Sequence, residues 1–262
     1  MIKCGIIGYP IKKPRSVVLW KKYFLKEKIN AEMLEFNFNK KNFNKNVYAL
    51  LSEKNFLASA VTMPYKVDIK KYINYYNETA KLSGSVNLIV KHKKKIHGFN
   101  TDIYGFIKSL AKKILYKNII ILGMGGSGSA IYNYINKKYK KNFILVTKKK
   151  IKNTKNTKVI SSLKSKHLNL TKKYLLINCT PLGSNLKNNF VKKTSISDEV
   201  IKKISKKSFI FDLVYKPKKT KLFFQCKRHK IPYKNGLEMN TYQGVKALKI
   251  VRKMTRFKLI NV

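Results

Sequence analysis

One glycine cluster in this lysine-rich chain has surroundings that give it a chemical meaning. Gly123-Met124-Gly125-Gly126-Ser127-Gly128 directly follows the apolar run Asn118-Ile119-Ile120-Ile121-Leu122 and directly precedes the helical pattern Ser129-Ala130-Ile131-Tyr132-Asn133-Tyr134-Ile135. Strand, glycine turn and helix in that order are the context a dinucleotide phosphate site requires. Glycine permits the tight turn and lets backbone N–H groups approach a pyrophosphate. The helix offers its positive N-terminal end to the same anion. Gly123, Gly125, Gly126, Ser127 and Gly128 are therefore expected to hold a nicotinamide or flavin nucleotide. The end of the second strand of such a unit chooses the cofactor: an acid there bonds a ribose 2′-hydroxyl, and a base accepts a 2′-phosphate. That position reads Val146-Thr147-Lys148-Lys149-Lys150, and no acid lies between Phe143 and Lys158. Lysine is common throughout the chain, so the missing carboxylate is the stronger half of the argument. Thr147, Lys148 and Lys149 are expected to take the phosphate, and the cofactor is expected to be NADP.

Six further segments combine glycine, proline and polar groups. They are Gly8-Tyr9-Pro10-Ile11 with Ser16; Val61-Thr62-Met63-Pro64-Tyr65-Lys66; Gly84-Ser85-Val86-Asn87; Gly98-Phe99-Asn100-Thr101-Asp102 running into Gly105-Phe106; Asp212-Leu213-Val214-Tyr215-Lys216-Pro217 with Thr220 and Leu222; and Asn235-Gly236-Leu237-Glu238-Met239 with Gln243. In this order and spacing the set resembles shikimate dehydrogenase over nearly the whole chain. The Asn-Thr-Asp-x-x-Gly-Phe and Thr-x-Pro-Tyr-Lys blocks are specific, whereas the glycine turn alone is weak.

The resemblance implies NADPH-dependent reduction of 3-dehydroshikimate to shikimate, a step of aromatic amino-acid biosynthesis. It implies two domains with the substrate in the cleft between them: a substrate domain, 1–101 plus 237–262, and a Rossmann-like NADP domain, 102–236. It places the family's catalytic pair at Lys66 and Asp102. It gives ring hydroxyls to Asn87, Thr62 and Gln243, the carboxylate to Ser16 and Tyr215, and the nicotinamide side to Gly236 and Met239. The residue chemistry agrees. A carbonyl that receives a hydride needs a proton on its oxygen, and an ammonium can supply it while stabilising the developing alkoxide. Two departures stand out. Where the family has two serines spaced by one residue and then proline, this chain reads Pro14-Arg15-Ser16-Val17. Proline has no hydroxyl and no N–H, so one carboxylate hydrogen bond is lost, at a cost of about 1.5–3 kcal/mol. Lys12, Lys13 or Arg15 are the cations that could compensate. Ser85 and Leu88 also differ from the family's Gly-Ala-Val-Asn-Thr form.

The elements that must position these residues alternate strand and helix, which predicts an α/β fold with a parallel sheet. Strands are expected at 2–7, 31–37, 57–61, 86–90, 96–99, 118–122, 143–147, 174–178 and 208–214, with a hairpin over Lys91-His92-Lys93-Lys94 joining 86–90 to 96–99. Helices are expected at 16–28, 42–55, 101–115, 222–229 and 237–252, and 148–158 reads as an exposed loop or frayed helix end. Pro64 suits the first turn of a helix with Thr62 as its cap, which would put Lys66 in that first turn. The helix dipole disfavours a cation there, and the Asp102 carboxylate would counter it.

Bulk properties narrow the class. The chain has 262 residues, with 59 Lys plus Arg against 11 Asp plus Glu and a net charge of +48. The lysines are dispersed, and Lys, Asn, Ile, Tyr and Phe share AT-rich codons, so drift explains the charge better than a specific nucleic-acid partner does. Cys4, Cys179 and Cys226 form no C-x-x-C pair, and the four histidines have no metal-ligand spacing. No metal site, no membrane span and a cytoplasmic monomer or homodimer are expected. The competing readings are a quinate/shikimate dehydrogenase using NAD, a basic nucleic-acid-binding protein on a degraded enzyme fold, and an inactive remnant.

Overall fold

The computed structural model describes residues 1–12, 14–169, 172–186 and 188–255. Lys13, one of the candidate compensating cations, lies outside them. The chain divides into two compact units: Met1–Gly105 with the stretch from Thr241 onward, and Phe106–Asn240.

The first unit runs β1 (Ile2–Gly8), α1 (Arg15–Lys26), β2 (Ala31–Asn37), α2 (Phe43–Ser52), β3 (Phe56–Val61), β4 (Tyr75–Tyr76), α3 (Glu78–Ser83), β5 (Leu88–His92) and β6 (Lys95–Phe99), followed by the start of α4 (Thr101–Leu110). Its six-stranded sheet has the order β2-β1-β3-β5-β6-β4. β1 is parallel to β2 and β3, as the alternating pattern predicts, but β5 is antiparallel to both β3 and β6. The sheet is therefore mixed. The β5–β6 reversal is the expected hairpin, made by the two-residue turn Lys93-Lys94 with φ of 48° and 63°, which leaves no length for a crossover helix.

The second unit runs β7 (Asn118–Leu122), α5 (Gly126–Lys138), β8 (Asn142–Val146), β9 (Thr157–Ile160), β10 (Tyr174–Asn178), α6 (Asp198–Lys203), β11 (Phe209–Asp212), α7 (Lys221–Arg228) and β12 (Tyr233–Asn235). The last helix, α8 (Leu237–Thr255), returns the chain to the first unit. All pairings in the second sheet are parallel, in the order β12-β11-β10-β7-β8-β9. Numbered within the unit this is 6-5-4-1-2-3, the doubly wound dinucleotide-binding order, with its switch point between β7 and β10.

Both sheets are covered on two faces. In the first, Trp20 and Phe24 of α1 pack with Cys4, Met33, Leu88 and the α8 residues Ala247, Leu248 and Val251. Phe43, Val47 and Leu50 of α2 pack with Ile7, Val61 and Ile89 on the other face. Each large side chain so buried contributes about 1.5–3 kcal/mol. In the second, Ile120, Leu176 and Ile210 meet Val200 and Ile201 of α6 and Leu222 and Cys226 of α7. Among the described residues, no helix is long and apolar enough to cross a membrane.

Three expected elements differ. The helix expected over 101–115 is α-helical only to Leu110, because Ala111 takes a φ of 47° and a 3-10 turn, Ala111–Leu115, follows. The loop expected over 148–158 gives way to β9 at Thr157, a four-residue edge strand too short to show an alternating pattern. The helix expected at Pro64 is absent. Residues 63–67 form turns, and a 3-10 helix begins only at Asp68.

Candidate active site

The topology of the first unit explains why four segments distant in sequence meet. β1 and β3 are parallel, so Gly8 and Thr62 emerge at the same sheet edge, joined by Thr62 N–H donating to the Ile7 carbonyl at 2.9 Å. β5 runs the other way, so its entrance, Asn87, lies at that same edge, and Val61 N–H donates to the Asn87 carbonyl at 2.8 Å. β6 reverses again and delivers Asn100, Thr101 and Asp102 there, with Asn87 N–H bonded to the Phe99 carbonyl at 2.9 Å.

Lys66 hangs from this edge. Its carbonyl accepts from Val86 N–H at 2.8 Å, and its Nζ donates to Asp102 Oδ2 at 2.6 Å. The two side chains are 19% and 25% exposed, enough cover to strengthen the pair and enough opening to admit a reactant. Lys66 lies in the turns ahead of the 3-10 helix, so no α-helix dipole opposes its charge, and among the described residues Asp102 is its ion-pair partner. Asp102 is free for this because Asn100 caps α4: its Oδ1 accepts from Ile103 N–H at 3.1 Å. Asn100 is 2% exposed, and its amide also bonds Ser83 Oγ at 2.9 Å and Ser85 Oγ at 2.8 Å.

Asn87, Thr101 and Gln243 form a connected polar group beside that pair. Asn87 Oδ1 accepts from Thr101 N–H at 2.7 Å, and Asn87 Nδ2 donates to Thr101 Oγ1 at 3.0 Å and to Gln243 Oε1 at 3.5 Å. Thr101 Oγ1 donates to Gln243 Oε1 at 3.3 Å. Thr101 and Asn100 are absent from the residues expected to bind substrate, although both stand in the Asn-Thr-Asp block. Their burial, 1% and 2%, decides their importance and leaves no mark in residue type.

Ser16 is the second residue of α1, one turn before Leu19. A Cβ at Gly244, next to Gln243, would stand 2.6 Å from Leu19 Cδ2, so α1 abuts α8 beside the amide. Pro14 is the N-cap of α1 and supplies no side-chain hydrogen bond, as its ring dictates. Tyr215 belongs to the second unit, in the loop after β11, with Gly236 and Met239 also in that unit. The structure gathers Lys66, Asp102, Asn87, Thr101, Gln243 and Thr62 within one unit, and Tyr215, Gly236 and Met239 within the other.

The glycine turn after β7 has three separable jobs. Gly123 has φ +88°, which the turn needs and a side chain resists. A Cβ on Gly128 would run into the Gly123 carbonyl oxygen, so the third glycine lets α5 close on the strand. At Gly125 and Gly126, beyond the adjoining backbone, no atom of the described residues lies within 4 Å of where a Cβ would be. Packing among the described residues does not require glycine at either position, and the open space leaves room for a ligand against the backbone. Gly125 is the N-cap of α5 and brings no side chain, leaving first-turn N–H groups for an occupant. Ser127, in that first turn, is half-buried. Gly123 N–H bonds the Val146 carbonyl at 2.9 Å, which seats the end of β8 beside the turn. Thr147 follows, its Oγ1 accepting from Lys149 N–H at 3.1 Å, and Lys148 and Lys149 are exposed. No carboxylate is present on this stretch to repel a 2′-phosphate.

The three cysteines are free, and burial pushes the Cys4 and Cys226 thiols up to about 12, so neither serves as a thiolate nucleophile. Among the described residues, no three His, Cys, Asp or Glu side chains gather as metal ligands.

A family profile described as the shikimate dehydrogenase substrate binding domain matches residues 6–89. An NADP(+) shikimate dehydrogenase of Clostridium botulinum is 32% identical over 256 residues, 95% of each chain. The chain belongs to the shikimate dehydrogenase family. An NADP(+) shikimate dehydrogenase of Methanococcus vannielii is 30% identical over 263 residues, 94% of this chain and 89% of that one. The solved chorismate mutase/shikimate 5-dehydrogenase fusion protein from Clostridium acetobutylicum superposes with a TM-score of 0.81 at 28% identity, covering 97% of this chain and 91% of that chain. The family profile spans the segments that carry Lys66 and Asn87, while Asp102 and Gln243 lie beyond it.

Proposed function

We propose that this chain catalyses the reversible NADPH-dependent reduction of 3-dehydroshikimate to shikimate. The Lys66–Asp102 pair, 2.6 Å apart and bordered by the Asn87–Thr101–Gln243 group, carries the reading. Bound NADPH supplies the hydride that the ring carbonyl carbon receives. Lys66 gives its ammonium proton to the carbonyl oxygen, so that the product leaves as a neutral alcohol, and in the reverse direction its amine takes the proton back. Asp102 holds the ammonium in place and stabilises its charge between turnovers. Asn87, Thr101 and Gln243 offer amide and hydroxyl partners for the ring hydroxyls, with Thr62 at the same edge. Ser16 and Tyr215 take the carboxylate. Gly123, Gly125, Gly126, Ser127 and Gly128 cradle the pyrophosphate, Thr147, Lys148 and Lys149 the 2′-phosphate, and Gly236 and Met239 face the nicotinamide. The first unit acts as the substrate domain and the second as the NADP domain. The protein works in the cytoplasm as a monomer or homodimer, with no specific nucleic-acid partner.

The test is an absorbance assay of wild type and Lys66→Ala with shikimate or quinate and NADP+ or NAD+. Turnover of shikimate with NADP+, lost in the variant, is expected. Faster turnover of quinate with NAD+ would move the assignment to that chemistry, and an inert wild type would reject it.

A further inference from the structure

Tyr215 and Gly236 lie in irregular segments after β11 and β12, yet under the reading just given both serve the reacting end of the site. Asp212, the last residue of β11, is what holds those segments. It is fully buried and, among the described residues, is the one charged side chain in that class. Its Oδ1 accepts from Asn178 Nδ2 at 2.8 Å and Val214 N–H at 3.0 Å. Its Oδ2 accepts from the Tyr233 hydroxyl at 3.0 Å and Thr220 Oγ1 at 3.2 Å. One carboxylate thereby ties together the last residues of β10 and β11, the first residue of β12 and the cap of α7, since Thr220 Oγ1 also accepts from Phe223 N–H at 3.2 Å.

The network extends both ways. Asn178 Oδ1 accepts from Thr180 N–H at 3.0 Å and Thr180 Oγ1 at 2.7 Å. Thr180 Cγ2 in turn stands 2.8 Å from where a Cβ of Gly123 would be. On the other side, a Cβ on Gly236 would collide with the Leu213 carbonyl, and Asn235 Nδ2 donates to the Lys218 carbonyl at 3.2 Å. We propose that Asp212 is a positioning residue for the reaction: it fixes the 213–220 loop and the Gly236 turn in one arrangement and registers both against the glycine turn through Asn178 and Thr180. This rests on the proposed dehydrogenase function.

A buried charge is a costly way to join three strands and a helix cap. Burial pushes the Asp212 carboxyl up despite its hydrogen bonds, of which Val214 N–H is the leading one and Asn178, Tyr233 and Thr220 follow. Burial and the neighbouring Asp212 likewise push the Tyr233 hydroxyl up, which keeps it a protonated donor. Apolar packing of equal volume would hold the fold as well. What it would not do is fix the loop by directional bonds.

The experiment compares wild type, Tyr233→Phe, Asp212→Asn and Asp212→Ala by steady-state kinetics, NADPH affinity from cofactor fluorescence, and thermal melting. Tyr233→Phe deletes one tether and is expected to fold, to lower kcat/KM for shikimate by about tenfold or more, and to change the NADPH Kd less than about threefold, since the phosphate end is held elsewhere. Asp212→Asn keeps the shape, because its amide can face two hydroxyls able to turn and accept. It is expected to stay within about threefold of wild type, whereas Asp212→Ala loses at least as much as Tyr233→Phe. If Asp212→Ala does not fold, Tyr233→Phe decides. Tyr233→Phe with kcat and both KM values within twofold of wild type, whatever its melting temperature, overturns the inference alone. A wild type inert towards shikimate overturns the inference together with the function it rests on.

Discussion

At the scale of single residues, the proposed chemistry turns on one proton and one countercharge. Lys66→Ala removes the proposed general acid and is expected to lower kcat by about 10²–10⁴ while the shikimate KM changes far less, because the proposal assigns the ring to other groups. Lys66→Arg should not rescue it, since a guanidinium keeps its proton at any working pH. A variant within tenfold of wild type would mean that another group or water donates. Asp212 behaves differently, and its sign can be worked out. Its folded carboxyl is pushed above the ordinary value of 3.8, so it favours the folded state fully only below that value and loses the benefit as pH rises through the folded pKa. Asp212→Asn escapes this loss. Its melting temperature should equal or exceed that of wild type at pH 7, with the advantage shrinking as the pH is taken down towards 4. A variant far less stable than wild type at pH 7 would show that the ionised carboxylate is worth more than its burial costs.

At the scale of elements, the strand–turn–helix of the second unit separates glycines that the fold requires from glycines that it leaves open, which the proposed function gives to the cofactor. Gly126→Ala meets open space and gains helix propensity, so the melting temperature should hold or rise while NADPH affinity falls about tenfold or more. Gly128→Ala would push a methyl into the Gly123 carbonyl, so this variant should lose stability by about 1–3 kcal/mol and cofactor affinity with it. Equal losses of stability in both would remove the distinction. The turn was legible because three glycines at fixed spacing between an isoleucine run and a helix leave few alternatives. Lys66 and Asp102 were legible as motif members, and the 2.6 Å pair follows from the sheet edge that β3 and β6 share. The environment of Lys66 was not legible. Pro64 suits a helix start equally well on sequence grounds, but here it leads into turns and a 3-10 helix. The six-residue helices α3 and α6 escaped because so short a stretch shows barely one and a half helical periods. Only their caps, Asn77 accepting from Ala80 N–H and Ser197 accepting from Val200 N–H, mark them in retrospect. The β5–β6 hairpin was legible, since a short polar turn between two apolar runs leaves no length for a crossover, even though Lys93 and Lys94 take the positive-φ positions where glycine or asparagine is usual. The antiparallel pairing of β5 with β3 was not, because nothing in the residues between them sets the direction of return.

At the scale of the whole molecule, charge sets two opposed responses to salt. With 59 cationic against 11 acidic side chains, most lysines have no carboxylate to pair with, and the folded chain concentrates like charge. Pairs such as Lys203–Glu199 and Lys234–Glu238 use up several of the few acids available. Raising ionic strength from about 0.01 M to 0.15 M shortens the screening length from about 30 Å to about 8 Å, which relieves repulsion between charges on different elements while sparing the close, partly covered Lys66–Asp102 pair. Stability should therefore rise with sodium chloride over this range, by about 2–4 °C in melting temperature for each kcal/mol of repulsion removed. The exposed Lys148 and Lys149 lose attraction for a phosphate under the same screening, so the KM for NADPH should rise as the melting temperature does. The Lys148→Ala, Lys149→Ala double variant isolates that second response: its KM for NADPH should start higher, rise less with salt, and worsen far more than its KM for NADH. A melting temperature that is flat or falls with salt would show that the surplus charge is already neutralised by bound anions. An unchanged ratio of the two KM values in the double variant would mean that the 2′-phosphate is read somewhere other than the end of β8.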